Sequence, residues 1–246
     1  AGTARAIQIR QKLLAARSQR ERPHLDDKIL TAWNGLMISS LARAGEIFEE
    51  PRYVEAAEKA ARFLLAELRK DDVLYRSWRS EQAGIPGYLN DYAFFIEGLQ
   101  ALYQSTGHDE WLDRARELTN EMLSLFEDAQ SGDFFYTSHE HEELLLRSKN
   151  LFGGGNLPVG NGVAVQNLLQ LHEFTGESKY LEACERTLAA FDDLMRSSPR
   201  QVEHLVLARA QLESRHQKQS AMGDRPIVEL PLVTVENRVL AVKLYA

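Results

Sequence analysis

Acids, bases, amides and aromatics cluster ahead of three apolar runs in this chain of 246 residues. The first cluster is His24-Leu25-Asp26-Asp27-Lys28, leading to Trp33 and Asn34. The second is Gly87-Tyr88-Leu89-Asn90-Asp91-Tyr92, and the third runs from Arg147 to Asn161. The third includes Lys149, Gly153-Gly154-Gly155-Asn156 and Pro158-Val159-Gly160-Asn161. Hydrolysis of a glycosidic bond needs two carboxyl groups across a cleft. Asp27 and Asp91 are the pair this layout supplies, as catalytic acid and base. Planar hydrogen-bonding groups grip the hydroxyls of a polyol, and aromatic faces stack on its ring. His24, Lys28, Asn34, Lys149 and Asn161 are therefore the expected binding groups, with Trp33 and Tyr92 as stacking surfaces. Epimerisation of a sugar would use two general bases instead. His24 and His172 would be that pair, but His172 lies toward the far end of its helix.

Each group also has a structural reading. Asp91 and Asn161 stand where helix N-caps stand, and capping alone accounts for Asp or Asn there. Asp26, Asp27 and Lys28 also fit a solvated turn, and Trp33 and His172 also fit a core. The glycine run lacks the Lys-Ser/Thr ending of a phosphate loop. His139-Glu140-His141 has a spacing used by metals but no further ligand, and reads as a surface hairpin. No metal and no cofactor is expected.

A threefold repeat must position these clusters. A leucine is followed twelve residues later by an aromatic: Leu41 and Tyr53, Leu99 and Trp111, Leu168 and Tyr180. Four residues further stands a small side chain, Ala57, Ala115 or Cys184, and Asn34, Tyr92 or Asn161 opens each run. The first helix of each pair (Trp33 to Phe48, Tyr92 to Ser105, Val163 to Phe174) is apolar on nearly every side. The second (Tyr53 to Lys70, Trp111 to Phe126, Tyr180 to Met195) is amphipathic. Gly107 and Gly176 fit helix C-termini, and Glu50-Pro51 breaks the chain in the first unit.

A repeat of this kind cannot bury its apolar face alone and must stack on its neighbours. An inner row of buried helices inside an outer row is an α/α toroid, an all-α fold that is partial in this chain, with a stacked superhelix as the alternative. The first helices run in one direction, so their N-termini gather the three clusters at one rim, where helix dipoles and unpaired N–H groups lie. Val73–Trp78 and Asp133–Thr137 read as short β-hairpins on one rim. Residues 1–198 are expected to hold the toroid hairpins behind a capping helix (residues 4–19, ended by Pro23). Residues 199–246 form a divergent tail, with a helix over 200–214 and β-like runs from Pro226 to Tyr245. The chain is then either an incomplete toroid or one whose ring a second copy or another partner completes.

Composition excludes some functions. The hydrophobic share is 44%, the charged share 26% and the net charge −7. This is globular, with no basic footprint for nucleic acid or anionic membrane. Arg17 to Arg22 reads as a solvated helix end. No apolar run is long enough to span a membrane, and no secretory signal is evident. The single cysteine, Cys184, sits at a packing position, which points to a reducing, cytoplasmic setting.

The stretch Pro23-His24-Leu25-Asp26-Asp27-Lys28-Ile29-Leu30-Thr31-Ala32-Trp33-Asn34-Gly35-Leu36-Met37 resembles the signature of one family. Lys12-Leu13, Arg17 to Arg20, Asp91-Tyr92-Ala93 and Pro158-Val159-Gly160-Asn161 agree. These are the spermatogenesis-associated protein 20 or YyaL-type proteins, and the resemblance covers roughly residues 8–198. It implies a six-hairpin, glycosidase-like toroid following a thioredoxin-like domain. That toroid is related to sugar epimerases and glycosidases, and its own activity is not established. Three departures stand out. The thioredoxin-like domain is absent from this sequence. Asn150 and Gly155-Asn156 stand where aspartates would be expected. The tail beyond Ser198 does not follow the pattern. The resemblance thus implies a carbohydrate-active or carbohydrate-binding domain, or a non-catalytic scaffold that served a thioredoxin-like partner.

Overall fold

The computed structural model describes residues 2–140, 147–149, 157–222 and, in the tail, 227–229, 233–235, 238–240 and 243–245. The elements in chain order begin with helix α1 (Gly2–Ser18), strand β1 (Ile29–Leu30), α2 (Thr31–Ile47) and α3 (Pro51–Phe63). After a wider π-type turn come β2 (Arg69–Lys70), β3 (Val73–Arg79), β4 (Gln82–Pro86), α4 (Leu89–Thr106) and α5 (Asp109–Phe126). Then follow α6 (Gly160–Thr175), α7 (Ser178–Ala190), α8 (Asp192–Ser197) and α9 (Glu203–Met222). In the tail, β5 (Ile227–Glu229) pairs with β8 (Lys243–Tyr245), and β6 (Val233–Val235) with β7 (Arg238–Leu240).

The helices form two layers. The inner row is α2, α4, α6 and α9, each packed on the next, and α3, α5 and α7 cover it from outside. Burial follows the sequence contrast. Helices α4 and α6 are buried along most of their length, whereas α5 and α7 bury one stripe each. Of the three aromatics of the repeat, Trp111 and Tyr180 are fully buried and Tyr53 is half-buried; Ala57, Ala115 and Cys184 are fully buried. Burial raises the Cys184 thiol to about 12, so it is a packing group without thiolate character. Gly107 and Gly176 adopt φ of 68° and 72° at the ends of α4 and α6, a conformation open to glycine at no steric cost.

Close approach of the inner helices depends on small residues. A Cβ built on Gly35 of α2 would lie 2.5 Å from the backbone carbonyl carbon of Phe94 in α4. One built on Gly98 of α4 would lie 2.9 Å from the Gly35 carbonyl oxygen. Strand β3 pairs with β1, β2 and β4, and so lies across the entrances to both helices.

Several expectations are corrected. Helix α1 ends at Ser18, ahead of Pro23, and Ser18 Oγ donates to the Leu14 carbonyl at 2.8 Å. Its apolar residues Ile7, Ile9, Leu13 and Leu14 are exposed, so α1 covers no core. Helix α2 is not surrounded by the described residues: Trp33 and Met37 face solvent. Of the two expected hairpins, the first forms; among the described residues Asp133–Thr137 contributes a single bridge, Phe134 to Glu127. The helix expected at 200–214 runs on to Met222 and joins the inner row through Leu205, Ala208 and Leu212.

Gly35→Ala is expected to destabilise the chain by about 3 kcal/mol, because backbone on the other helix cannot yield to a methyl group. Gly84→Ala, whose Cβ would meet nothing nearer than Ser77 Oγ at 3.9 Å, serves as the neutral control in urea unfolding.

Candidate functional site

The inner-helix N-termini meet at one rim through defined hydrogen bonds. Asp91, the third residue of α4, is buried. Its Oδ2 accepts the Tyr88 N–H at 2.9 Å and its Oδ1 accepts the Ala32 N–H, in the first turn of α2, at 3.2 Å. Arg76 Nη1 of β3 lies 3.3 Å from Oδ2 and stacks over the Tyr88 ring. One carboxylate thus satisfies the opening turns of two parallel helices. Burial raises its pKa from 3.8 to about 6, against the lowering effect of the Tyr88 N–H, Arg76 and the Ala32 N–H.

Asn161 ties α6 to the same rim. Its Oδ1 accepts the Phe134 N–H at 2.9 Å, and its Nδ2 donates to the Phe134 carbonyl at 3.0 Å and the Lys149 carbonyl at 3.2 Å. An amide matches a backbone donor and acceptor together, so Asn161 acts as a one-residue strand partner. It does not cap α6, whose N-cap is Val159. Leu89 N–H then donates to the Tyr136 carbonyl at 3.0 Å, joining this loop to α4.

The expected site residues separate into two sets. Tyr92 is core: it is buried, packs edge-on against Phe126 at 5.3 Å, and burial pushes its phenol up to about 12. Lys149 Nζ is held by Asp128 and Asp133 at 2.7 Å each and by Ser131 at 2.8 Å. Burial works against its charge, but the two carboxylates outweigh it and hold its pKa above the usual lysine value. Asp91 and Asn161 join these two in linking or filling the fold.

The other set is open. His24 and Lys28 are exposed; Lys28 pairs with Asp26 at 3.1 Å. Asp27 is exposed and pairs with Arg79 at 2.6 Å. Asn34 Nδ2 donates to the Leu30 carbonyl at 2.8 Å, and Trp33 is 60% exposed. Asp27 and Asp91 are thus tied to Arg79 and Arg76, which stand three residues apart on β3, roughly 10 Å along the backbone and on opposite faces of the strand. His172 lies at the far end of α6 and bonds the Glu177 carbonyl. His139 bonds the Leu125 carbonyl. His141 and the 150–156 glycine segment lie outside the described residues.

A cavity of about 490 Å³ opens between the N-termini of α6 and α9. Pro158, Val159 and Gly162 form one wall, and Arg200, Gln201, Glu203 and His204 the other. A Cβ on Gly162 would lie 2.7 Å from His204 Cβ, so the helices touch beneath it. None of the second wall was expected from sequence. The signal that could have found it was alternation: a helix following the outer pair member Tyr180–Met195 should be the next inner helix, with its N-terminus on the rim. Among the described residues, Glu58, His108 and Glu110 also bring ligand atoms within 4.8 Å of one another. Arg62 already holds Glu110 through bonds of 2.9 and 2.7 Å, an ion-pair cluster.

Two layers of helices joined at a polar rim define an α/α toroid, and solved structures share this fold. The cellobiose 2-epimerase of Spirochaeta thermophila superposes with a TM-score of 0.56 at 20% identity, over 67% of this chain and 43% of that one. A family 76 α-mannanase of Bacteroides thetaiotaomicron gives 0.56 at 17%, over 71% and 46%. The unsaturated glucuronyl hydrolase of a Bacillus species gives 0.51 at 20%, over 71% and 50%. At these identities the likeness is one of fold. No family model matches the chain. In sequence it is 35% identical over 227 residues to human spermatogenesis-associated protein 20, covering 87% of this chain and 29% of that protein. It is 30% identical over 209 residues to an uncharacterized protein of Caenorhabditis elegans, covering 82% and 28%. Over most of its own length the chain is a homologue of spermatogenesis-associated protein 20, and it spans less than a third of the relatives it matches. Among the described residues no helix is long and apolar enough to cross a membrane.

Two outcomes follow from the rim. A group whose native pKa is raised stabilises the fold below its unfolded pKa and loses that contribution as pH rises through the native value. For Asp91 the window is pH 4 to 6 and the loss about 3 kcal/mol. The difference in unfolding free energy between wild type and Asp91→Asn should change by that amount across the window in urea titrations. Asn161→Ala should cost about 3 kcal/mol, beyond the roughly 1 kcal/mol of a lost cap, since it orphans buried backbone groups. A smaller loss in the same assay would show that water replaces the amide.

Proposed function

We propose that the inner-helix N-termini form a binding face for a sugar or polyol, with the cavity between α6 and α9 as its deepest part. The observation that carries this is the polar wall of that cavity. Arg200, Gln201, Glu203 and His204 offer donors and acceptors on the side of the rim where helix N–H groups are directed. A polyol, which donates and accepts at every hydroxyl, suits such a mixture better than an anion or an apolar ligand. The fold supports the class, being shared with proteins named as an epimerase of cellobiose and as mannanases, one of them in complex with α-1,6-mannotetraose.

The reading extends to binding ahead of catalysis. Asp91 already receives two backbone N–H groups and a guanidinium, which suits a positioning carboxylate more than a proton donor to substrate. Asp27 keeps the exposure an acid or base needs. A non-catalytic scaffold is the second reading, favoured by the engagement of Asp91.

Cellobiose and α-1,6-mannotetraose should each be titrated calorimetrically and by thermal shift. Binding of either, abolished in His204→Ala and Arg200→Ala without loss of thermal stability, is the expected outcome. No response across a wider panel of mono- and oligosaccharides would favour the scaffold.

A further inference from the structure

The rim cavity continues into a second space. His204 lines the cavity and also lines a groove of about 820 Å³ along α2, α4, α6 and α9. On α6 the groove is lined by Gln166, Gln170 and Glu173, and on α9 by Leu207, Gln211 and Arg215. Each series follows one side of its helix, turn by turn. From Gly162 in the cavity to Glu173 in the groove, the α6 wall is roughly 16 Å long at the α-helical rise.

Two ion pairs join the walls without leaving net charge. Arg43 Nη2 of α2 pairs with Glu97 Oε1 of α4 at 3.0 Å, and Arg215 of α9 pairs with Glu173 of α6. Ser39 Oγ donates to the same Glu97 oxygen at 3.1 Å, which leaves Oε2 free to accept. Amides lie between the pairs. Asn167 is buried with its Nδ2 spent on the Ala93 carbonyl at 2.7 Å, and its Oδ1 has no partner among the described residues. The side chains of Gln166 and Gln211 make no hydrogen bond among the described residues, and Gln170 meets Gln104 at 3.2 Å. Faces that pack helix on helix in this chain are built differently, from Gly35, Ile38 and Gly98. Free amides make a poor packing surface, because burying one without a partner is destabilising.

We propose that this groove binds a linear, uncharged oligosaccharide whose end unit sits in the rim cavity. The inference rests on the polyol reading of that cavity and extends it to chain length. Neutralised ion pairs offer no net field to draw an anion or a cation, and the amides disfavour an apolar ligand. Acceptors at Asn167 and Glu97, with amides at Gln166, Gln170 and Gln211, suit a row of hydroxyls that each donate and accept. Among the described residues no aromatic side chain lines the groove, so the sugar units are held by their hydroxyl edges rather than by stacking of ring faces. His204, common to both spaces, stands at the junction between the end unit and the rest of the chain.

Calorimetric titration of the full chain tests it, with mannose, α-1,6-mannotriose and α-1,6-mannotetraose as one series and glucose, cellobiose and cellotetraose as another. In one series the affinity is expected to rise about tenfold or more from the single sugar to the tetrasaccharide. Gln170→Ala and Gln211→Ala should each weaken tetrasaccharide binding about fivefold and leave the single sugar unchanged. Ala210→Trp, which fills the groove from an exposed position, should remove the length dependence with no change in thermal midpoint. Equal affinity for short and long sugars in both series overturns the groove and leaves the rim cavity standing. So does a length dependence that survives all three substitutions. If no sugar of either series binds, the cavity reading fails and the groove falls with it.

Discussion

A single buried carboxylate sets the relation between the first two inner helices. Asp91 accepts one N–H from the first turn of α2 and one from the N-cap of its own helix, and Arg76 from the crossing strand pairs with it from a third side. Burying a charge is costly, and the raised pKa of Asp91 is the visible sign of it. What the group secures is register. Only one relative position of α2, α4 and β3 presents all three donors to two oxygens. Asn161 repeats the device with an amide, fixing the loop after α5 to the start of α6. The rim is therefore a continuous hydrogen-bonded belt.

Below the belt, contact distance is set by missing side chains. Gly35, Gly98 and Gly162 allow inner helices to touch backbone to backbone or backbone to side chain. The outer helices supply the bulk, with Trp111 and Tyr180 filling the space between layers. Direction and spacing together bring His204 of α9 beside Gly162 of α6 and open the cavity where the belt stops. The cavity thus opens because the inner row continues past the last hydrogen bond of the rim.

The architecture was legible because it rests on period and contrast. Apolar runs against amphipathic ones, three leucine–aromatic pairs and two terminal glycines specify buried and covering helices without knowledge of a neighbour. The site was less legible. Asp91 and Asn161 were recognisable as helix-start residues, but capping is a local idea and both act on another element. Tyr92 and Trp33 occupy adjacent places in the repeat motif and look alike as ring-stacking groups. One is enclosed by Phe126 and the other stands at the end of the row.

The sequence by itself determined the helix pairs, their two-layer sorting and their common direction, because hydrophobic period and chain-breaking residues act over a few turns. Tertiary structure alone decided which polar groups are spent inside the rim and which remain open. It also decided that residues beyond Ser198 extend the inner row and line the cavity. Those outcomes depend on which backbone donors come within hydrogen-bonding distance of a side chain 27 or 59 residues away, and no local pattern encodes that distance.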